Sequence, residues 1–327
     1  MLNRLLGYIG RVLITAGVVI LLFVAFQLWG TGLEQARHQD ALGSTFEKRV
    51  LGHASPSDTG ADAAISAVLS KLSAKDPATA APMAAPAEGE PLGVIEIPRI
   101  GLQQFVVEGT GKPDLKKGPG HYVGTPLPGQ AGNAAIAGHR TTYGAPFNRI
   151  DELVPGDAIY VTTAQGRFRY EVMAPPADRG IERGPGWFSV RPSETDVIAA
   201  TADNRLTLTA CHPKRSAQQR IVVQAKLSVE PAETAPTPPS SNDGPSSAET
   251  IAKTEDSFGG DASAKWPALG FAALAALFWF LAWFLLHRSR AGRSQRRTWI
   301  AYILLSPGFF ALLWVCFVFT DRWLPSF

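Results

Sequence analysis

The sequence is poor in cysteine, with only Cys211 and Cys316 among its 327 residues. Two cysteines cannot build the disulfide framework of a small secreted domain, and no Cys-x-x-Cys pair is present for a structural zinc site. The chain also has little net charge, a formal +3, because basic and acidic residues nearly balance. We therefore expect no metal, no other cofactor and no nucleic-acid partner.

Charge is missing altogether from three long apolar runs, at residues 12–33, 266–286 and 298–320. Each run is long enough to cross a hydrocarbon core of ~30 Å at a helical rise of ~1.5 Å per residue. A buried core helix is the alternative, but core helices seldom stay uncharged over such a length. The sequence therefore predicts three transmembrane helices.

Arginine placement predicts how these helices are oriented. The N-terminal residues 1–11 and the loop 287–297 are both rich in arginine, which favours the cytoplasmic side. Residues 34–265 and the C-terminal residues 321–327 then lie outside, in a multi-pass protein of the cell membrane. The first run could instead be a cleaved signal peptide, although no small-x-small cleavage site follows its apolar core.

Composition divides the outer segment into three parts. Residues 34–92 are rich in Ala, Ser and Pro and are predicted to form a flexible tether with a weak helical pattern near ISAVLSKL. Residues 229–265 are predicted to form a low-complexity linker. Residues 93–228 between them have the size of one domain. This domain is predicted to be mostly β, a barrel or a sandwich, because short apolar runs alternate with Gly, Pro, Asn and Asp. The runs are LGVIEIPRI, QQFVVEG, NAAIAGH, DAIYVTT, RFRYEVMA, DVIAAT, RLTLTAC and RIVVQAKLS.

Cys211, at the end of RLTLTAC, is the one cysteine of the outer segment, because Cys316 lies in the third apolar run. A disulfide within that segment is therefore excluded. A buried inert thiol and a nucleophile both remain open.

A nucleophilic thiol needs a base or a cation beside it. His212 follows Cys211 directly, but successive side chains of a strand point to opposite faces, so it is poorly placed. His139 ends the run NAAIAG and is a better candidate, while His121 lies in a Gly/Pro-rich loop. Arg220 begins the strand after the turn KRSAQQ, so a hairpin would return it to Cys211. On the residues alone, each of these could equally be structural.

Two stretches resemble the sortase family. LTLTACHPKRSAQQRIVV is similar to the sortase signature around the catalytic cysteine, and GPGHYVGTPLPGQAGNAAIAGHRTTYGAPFNRIDEL to the segment carrying the catalytic histidine. The Cys-His-Pro variant most resembles class E, with class D second.

The resemblance implies an eight-stranded β-barrel and a transpeptidase that cleaves an LPXTG- or LAXTG-like sorting signal between Thr and Gly. By position, Cys211 matches the nucleophile, His139 the general acid/base and Arg220 the oxyanion-binding arginine. The implied substrate contacts are Tyr143, Thr209, Ala210 and His121. The implied partners are secreted proteins that carry a sorting signal, and the amine of a peptidoglycan precursor or a pilin lysine.

Two departures from the family pattern leave alternatives open. Ala210 stands where the family usually has Thr, and two apolar runs follow the barrel where class E relatives typically have one N-terminal anchor. A C-terminal membrane segment is a feature of the pilin-polymerising class C, so a pilin polymerase remains an alternative. An inactive barrel acting as a binding scaffold is another, although all three catalytic positions are filled.

Overall fold

The chain forms two compact units, one of residues 1–27 with 259–326 and the other of residues 28–258. The computed structural model describes residues 2–52, 60–234, 261–288 and 295–324. Most of the predicted linker 229–265, and most of the predicted basic loop 287–297, therefore lie outside the described residues.

Helices stand at both ends of the chain and strands in its middle. The helices are α1 Leu2–Ala25, α2 Thr31–Leu51, α3 Gly60–Leu72, α4 Lys112–Leu115, α5 Lys265–Arg288 and α6 Gln295–Trp323. The strands are β1 Pro91–Ile97, β2 Leu102–Glu108, β3 Gly120–His121, β4 Asn133–Ala137, β5 Ala158–Thr163, β6 Gly166–Val172, β7 Phe188–Val190, β8 Arg205–His212 and β9 Gln219–Leu227.

Eight of the strands close into a barrel, which confirms the predicted fold. They pair in the order β6, β5, β1, β2, β3, β4, β8 and β9, and β9 pairs back with β6. The short strand β7 pairs with the first half of β9, outside the ring. The pairs β2–β3 and β4–β8 are parallel, and the others are antiparallel. Closure leaves few strand edges open to another chain.

Alternate residues of the barrel strands enter two different cores. Leu206, Leu208 and Ala210 of β8 lie in the barrel interior with Ile136 of β4. Cys211 belongs to a second cluster on the outer face, beneath β7 and the 3₁₀ turn Thr195–Ile198. Because both faces of β4 are covered, its residues after Asn133 read as a continuous apolar run, whereas β8 alternates Leu with buried Thr. The predicted strand DVIAAT is wrong, since this turn occupies its place.

The segment predicted as a flexible tether, residues 34–92, instead contains α2 and α3 where the structure describes it. Their apolar faces cover the outer faces of β1 and β2 in a third cluster, in which Phe46 meets Phe105 at a ring-centroid separation of 6.0 Å. Counting Ala and Ser as linker residues missed α2, in which Leu42 and Phe46 recur at helical spacing. The weak helical pattern near ISAVLSKL is confirmed by α3.

Gln39 of α2 replaces a missing strand along part of β2. Its side-chain oxygen accepts from the Phe105 N–H at 2.7 Å, and its Nε2 donates to the Phe105 carbonyl at 3.1 Å. The same Nε2 donates to the Lys117 carbonyl at 2.8 Å. An amide offers a donor and an acceptor as a peptide unit does, so it satisfies backbone groups that β3 is too short to reach.

The prediction of three transmembrane helices is wrong in number for the residues that the structure describes. Two helical stretches, Ala262–Ala282 and Leu305–Trp323, are long and apolar enough to cross a membrane. The apolar part of α1 is only Leu13–Ala25, which spans about 20 Å at ~1.5 Å per residue. The α-helical hydrogen bonding stops at Ala25, where a π-helical segment, Phe26–Gly30, begins.

Phe46→Ala should destabilise the unit that contains the barrel by about 3–5 kcal/mol, because it opens a cavity against Phe105. The measurement is the urea midpoint of the full chain in detergent, with the unfolded fraction at each urea concentration read by pulse proteolysis. Thr45→Ala, at the exposed neighbouring position, is the matched control and should change stability by less than about 1 kcal/mol. Equal stability of the two variants would show that α2 does not contribute to the barrel fold.

Candidate active site

Three adjacent strands bring the candidate catalytic residues to one end of the barrel. In the parallel pair β4–β8, Ala137 lies opposite Thr209, and the Gly138 N–H donates to the Thr209 carbonyl at 3.0 Å. His139 and Cys211 each follow two residues later on their own segment. In the antiparallel pair β8–β9, Cys211 lies directly opposite Arg220. The hairpin expected from the sequence is therefore present.

The pleat places these side chains on one face. Ala135 and Ala137 of β4, Cys211 of β8 and Val222 of β9 all belong to the outer cluster. Arg220 lies two residues from Val222 on its strand, so it shares that face, and His139 lies two residues beyond Ala137, at the start of the loop after β4. The three residues thus form a row across β4, β8 and β9.

His212 points away from Cys211, as strand alternation predicts. Its Nε2 lies 3.1 Å from a Glu182 carboxylate oxygen, and its ring lies 5.3 Å from that of Trp187. Both partners belong to the segment between β6 and β7. His212 therefore holds that segment against the barrel end, while Cys211 is fully buried on the opposite side.

His139 is enclosed, with 1% of its surface exposed. Burial, with Lys116 and Lys112 adding positive charge, lowers the pKa of His139 from 6.5 to about 3. The imidazole is therefore neutral at neutral pH. Its ring lies 5.2 Å from that of Tyr143. Gly138 before it is packed against the Phe147 ring, leaving no room for a Cβ.

Tyr143 covers the histidine from a strained loop. Its φ of +49° lies in the left-handed region, which an aromatic residue rarely adopts and which often marks functional loops. The Lys116 ammonium lies 4.7 Å from the ring centroid, a cation–π contact. The Tyr143 N–H donates to Thr31 Oγ1 of α2 at 3.4 Å. The loop is thus held from two sides.

Arg220 is buried, with 6% of its surface exposed. Its Nη1 donates to the carbonyls of Ala217 and Gln219, each at 3.0 Å. These bonds fix the guanidinium within the β8–β9 turn. A fixed guanidinium beside the cysteine is the arrangement that stabilises a developing oxyanion.

Some of the expected substrate contacts do not lie beside His139, Cys211 and Arg220. Thr209 lies on the Cys211 face and hydrogen-bonds the Tyr122 hydroxyl at 2.9 Å. The Ala210 methyl faces the barrel interior, so it does not reach the Cys211 face. His121 is fully buried, and its two ring nitrogens lie 2.8 Å from Glu108 Oε2 and 2.9 Å from the Pro126 carbonyl. These contacts indicate a structural role for His121.

Sequence reasoning missed the buried residues that support the row. Arg140 follows His139 directly and is 1% exposed, and Tyr122 supports Thr209. The adjacency of His139 and Arg140 in Gly-His-Arg was the available signal for the first. Within the described ranges, no group of three or more His, Cys, Asp or Glu side chains is placed to hold a metal ion.

Comparisons with known proteins agree on the sortase family. Residues 95–228 match the model of the sortase domain. The chain is 28% identical over 241 residues to sortase SrtE1 of Streptomyces coelicolor, covering 67% of this chain and 56% of that protein. It is 33% identical over 129 residues to sortase D of Bacillus subtilis, covering 39% and 58% respectively. The alignments thus span a little over half the length of these two relatives.

Solved structures of sortases also match this chain. The chain is 36% identical to sortase E from Streptomyces avermitilis, with 44% of this chain and 91% of that chain covered and a TM-score of 0.37. It is 25% identical to a Clostridium perfringens sortase D5 transpeptidase, with 58% and 98% covered and a TM-score of 0.41.

The lowered pKa of His139 predicts acid sensitivity. The unfolded chain binds a proton near pH 6.5 and the folded chain only near pH 3, so folding stability falls as the pH drops below 6.5. By pH 5 this residue should cost about 2 kcal/mol relative to pH 7.5. His139→Gln should remove that part of the loss.

The measurement is the urea midpoint of the full chain in detergent at both pH values. His38→Gln is the matched control, because His38 is a half-buried histidine of α2. An unchanged acid response in His139→Gln would contradict the buried neutral imidazole.

Proposed function

Because the chain belongs to the sortase family, whose members are cysteine transpeptidases, we propose that it cleaves a sorting signal and transfers the acyl group to an amine. The signal is LPXTG- or LAXTG-like, and the cut falls between Thr and Gly. The observation that carries the proposal is the register that aligns His139, just after β4, with Cys211 of β8 and Arg220 of β9.

In the proposed acylation, Cys211 is the nucleophile. Its sulfur attacks the Thr carbonyl carbon, and its proton passes to His139, which is neutral in the free chain. Burial lowers the proton affinity of His139, so the transfer relies on the negative charge that develops on the substrate to stabilise the imidazolium. The carbonyl oxygen becomes an oxyanion that Arg220 stabilises. The C–N bond to Gly then breaks, the imidazolium protonates the departing amine, and a thioester to Cys211 remains.

The second half of the reaction reverses these roles. An incoming amine attacks the thioester carbonyl, and neutral His139 takes its proton. The tetrahedral intermediate collapses, the new amide forms, and Cys211 leaves as thiolate to be reprotonated by the imidazolium. No cofactor is needed, because bond-making and bond-breaking use only the thiol, the imidazole and the guanidinium.

Substrate access requires movement, because Cys211 and His139 have 0% and 1% of their surface exposed. Tyr143 lies over the histidine, and β7 with the turn Thr195–Ile198 lies over the cysteine, so these are the covers that a bound peptide would displace. We assign Tyr143 as a substrate contact once it has moved. Thr209 remains a proposed contact beside the cysteine.

The acceptor is proposed to be an amine of a peptidoglycan precursor, as in class E-like cell-wall anchoring. The arginine-rich loop 287–297 between the two apolar helices supports a multi-pass arrangement with the barrel outside the cell membrane. A pilin polymerase would be favoured by an aromatic lid ahead of the barrel. The aromatic residue found there, Phe46, packs on Phe105 instead.

The full chain in detergent, incubated with LPXTG- and LAXTG-type peptides, should form an acyl adduct on Cys211 that is detected by peptide mass spectrometry. A thioester needs this sulfur, so Cys211→Ala should abolish the adduct. Cys316→Ala, which removes the other cysteine, is the matched control and should retain it. Added diaminopimelate should discharge the adduct as a new amide.

The peptide that acylates faster identifies the preferred signal. An adduct that persists in Cys211→Ala, or a folded chain that forms none with either peptide, would refute the proposed function.

A further inference from the structure

Arg140 is among the largest fully buried side chains of the described residues, with 1% of its surface exposed. Arginine is rarely buried to this extent, because its charge loses hydration that must be replaced by partners. The residue directly follows His139, yet the proposed reaction gives it no step. The cost of burying Arg140 therefore suggests that the residue has a role beyond packing.

The loop after β4 closes around the Arg140 guanidinium. Nη2 lies 3.1 Å from Asp151 Oδ1, and Nη1 donates to the Phe147 carbonyl at 3.3 Å. The Asn148 side-chain amide donates to the Arg140 carbonyl at 2.9 Å. The Phe147 N–H donates to the His139 carbonyl at 3.1 Å. The position of His139 is thus tied to Arg140 at both the main chain and the side chain.

The same cluster reaches the turn that follows Cys211. Lys214 lies three residues beyond the cysteine, and its Nζ is 3.4 Å from Asn148 Oδ1 and 4.0 Å from Asp151 Oδ1. Asp151 therefore stands between Arg140 and Lys214. Through it, the segment carrying His139 and the β8–β9 turn are held together by charge.

Register also places Arg140 near the cysteine, because Ala137, three residues before Arg140, pairs with Thr209, two residues before Cys211. Burial lowers the pKa of Arg140, whereas the carboxylate of Asp151 and the charge of Cys211 raise it. The attraction is mutual, so the guanidinium favours the thiolate as the thiolate favours the guanidinium. The Asp151 side chain is one-third exposed, so water screens its carboxylate. The buried Arg140 guanidinium is therefore only partly neutralised by it.

We propose that Arg140 is a positioning residue for the transpeptidation, fixing His139 relative to Cys211 and favouring the Cys211 thiolate through its buried positive charge. The inference rests on the proposed function for the roles of those two residues. The charged and titratable groups grouped around the thiol are His139 and Arg140 from the loop after β4, Arg220 from β9, Lys214 and Asp151 behind them, and Lys112 and Lys116 near His139.

The first test measures the thiol without any sorting peptide. The rate of Cys211 alkylation by iodoacetamide is followed against pH on the full chain in detergent, at the peptide that contains Cys211. Arg140→Met keeps the volume but removes the cation, so the midpoint should rise by about one pH unit. Arg140→Lys should restore most of the shift, and Asp151→Asn should not raise the midpoint.

The second test measures positioning, with the preferred sorting peptide. Arg140→Lys and Asp151→Asn should each lower kcat about tenfold or more with little change in KM, because both disturb the loop that carries His139. Arg149→Met is the matched control, since Arg149 is an exposed arginine of the same loop that pairs with Glu152. It should leave both the alkylation midpoint and kcat close to those of the unmodified chain.

The outcomes separate the two proposals. An unchanged alkylation midpoint in Arg140→Met, with normal kcat in Arg140→Lys and Asp151→Asn, would make Arg140 merely structural and overturn the inference. If Arg140→Met does not fold, Arg140→Lys and Asp151→Asn still decide through kcat. A shifted midpoint in a chain that acylates with neither peptide would instead refute the proposed function and support the charge effect of Arg140.

Discussion

The parallel pairing of β4 with β8 aligns the ends of two strands that lie far apart in the sequence. Ala137 meets Thr209 across this pair, and the next residues along each segment carry the imidazole and the thiol. A slip of one residue would turn every side chain of β8 to the opposite face. Cys211 would then face the barrel interior and His212 the outer cluster. The register of one parallel pair therefore fixes which of these neighbouring residues joins His139 and Arg220.

The apolar surroundings impose the second constraint. They hold the row rigidly, but they disfavour charge, and the lowered pKa of His139 is the consequence. A thiolate and imidazolium pair is thus costly before a substrate is bound, and the buried cations beside the row are the guanidinium groups of Arg140 and Arg220. Arginine suits this task better than lysine because it stays protonated when buried and because its planar fork accepts several fixed partners.

The sequence predicted those parts of the molecule that local patterns encode. Short β-branched runs bounded by Gly and Pro predicted a barrel or a sandwich, and the resemblance to sortases implied the eight-stranded barrel. Alternation along a strand correctly separated His212 from Cys211. Predictions failed where long-range packing decides. The strands β3 and β7 are too short to leave a pattern, and DVIAAT became a 3₁₀ turn because Val197 and Ile198 pack over the outer cluster. Composition suggested a tether where α2 and α3 cover the barrel. The adjacency of His139 and Arg140 drew attention to Arg140 but did not reveal its buried contacts.

The hydrogen bonds of Gln39 have a practical consequence for protein production. A soluble fragment chosen by family boundaries would begin near β1 and would lack α2. The N–H and C=O of Phe105 would lose their side-chain partner, and apolar residues of β1 and β2 would be uncovered. An open strand edge beside an apolar face favours edge-to-edge association. Fragments for crystallisation or assay are therefore best started at or before Thr31, so that the edge remains covered.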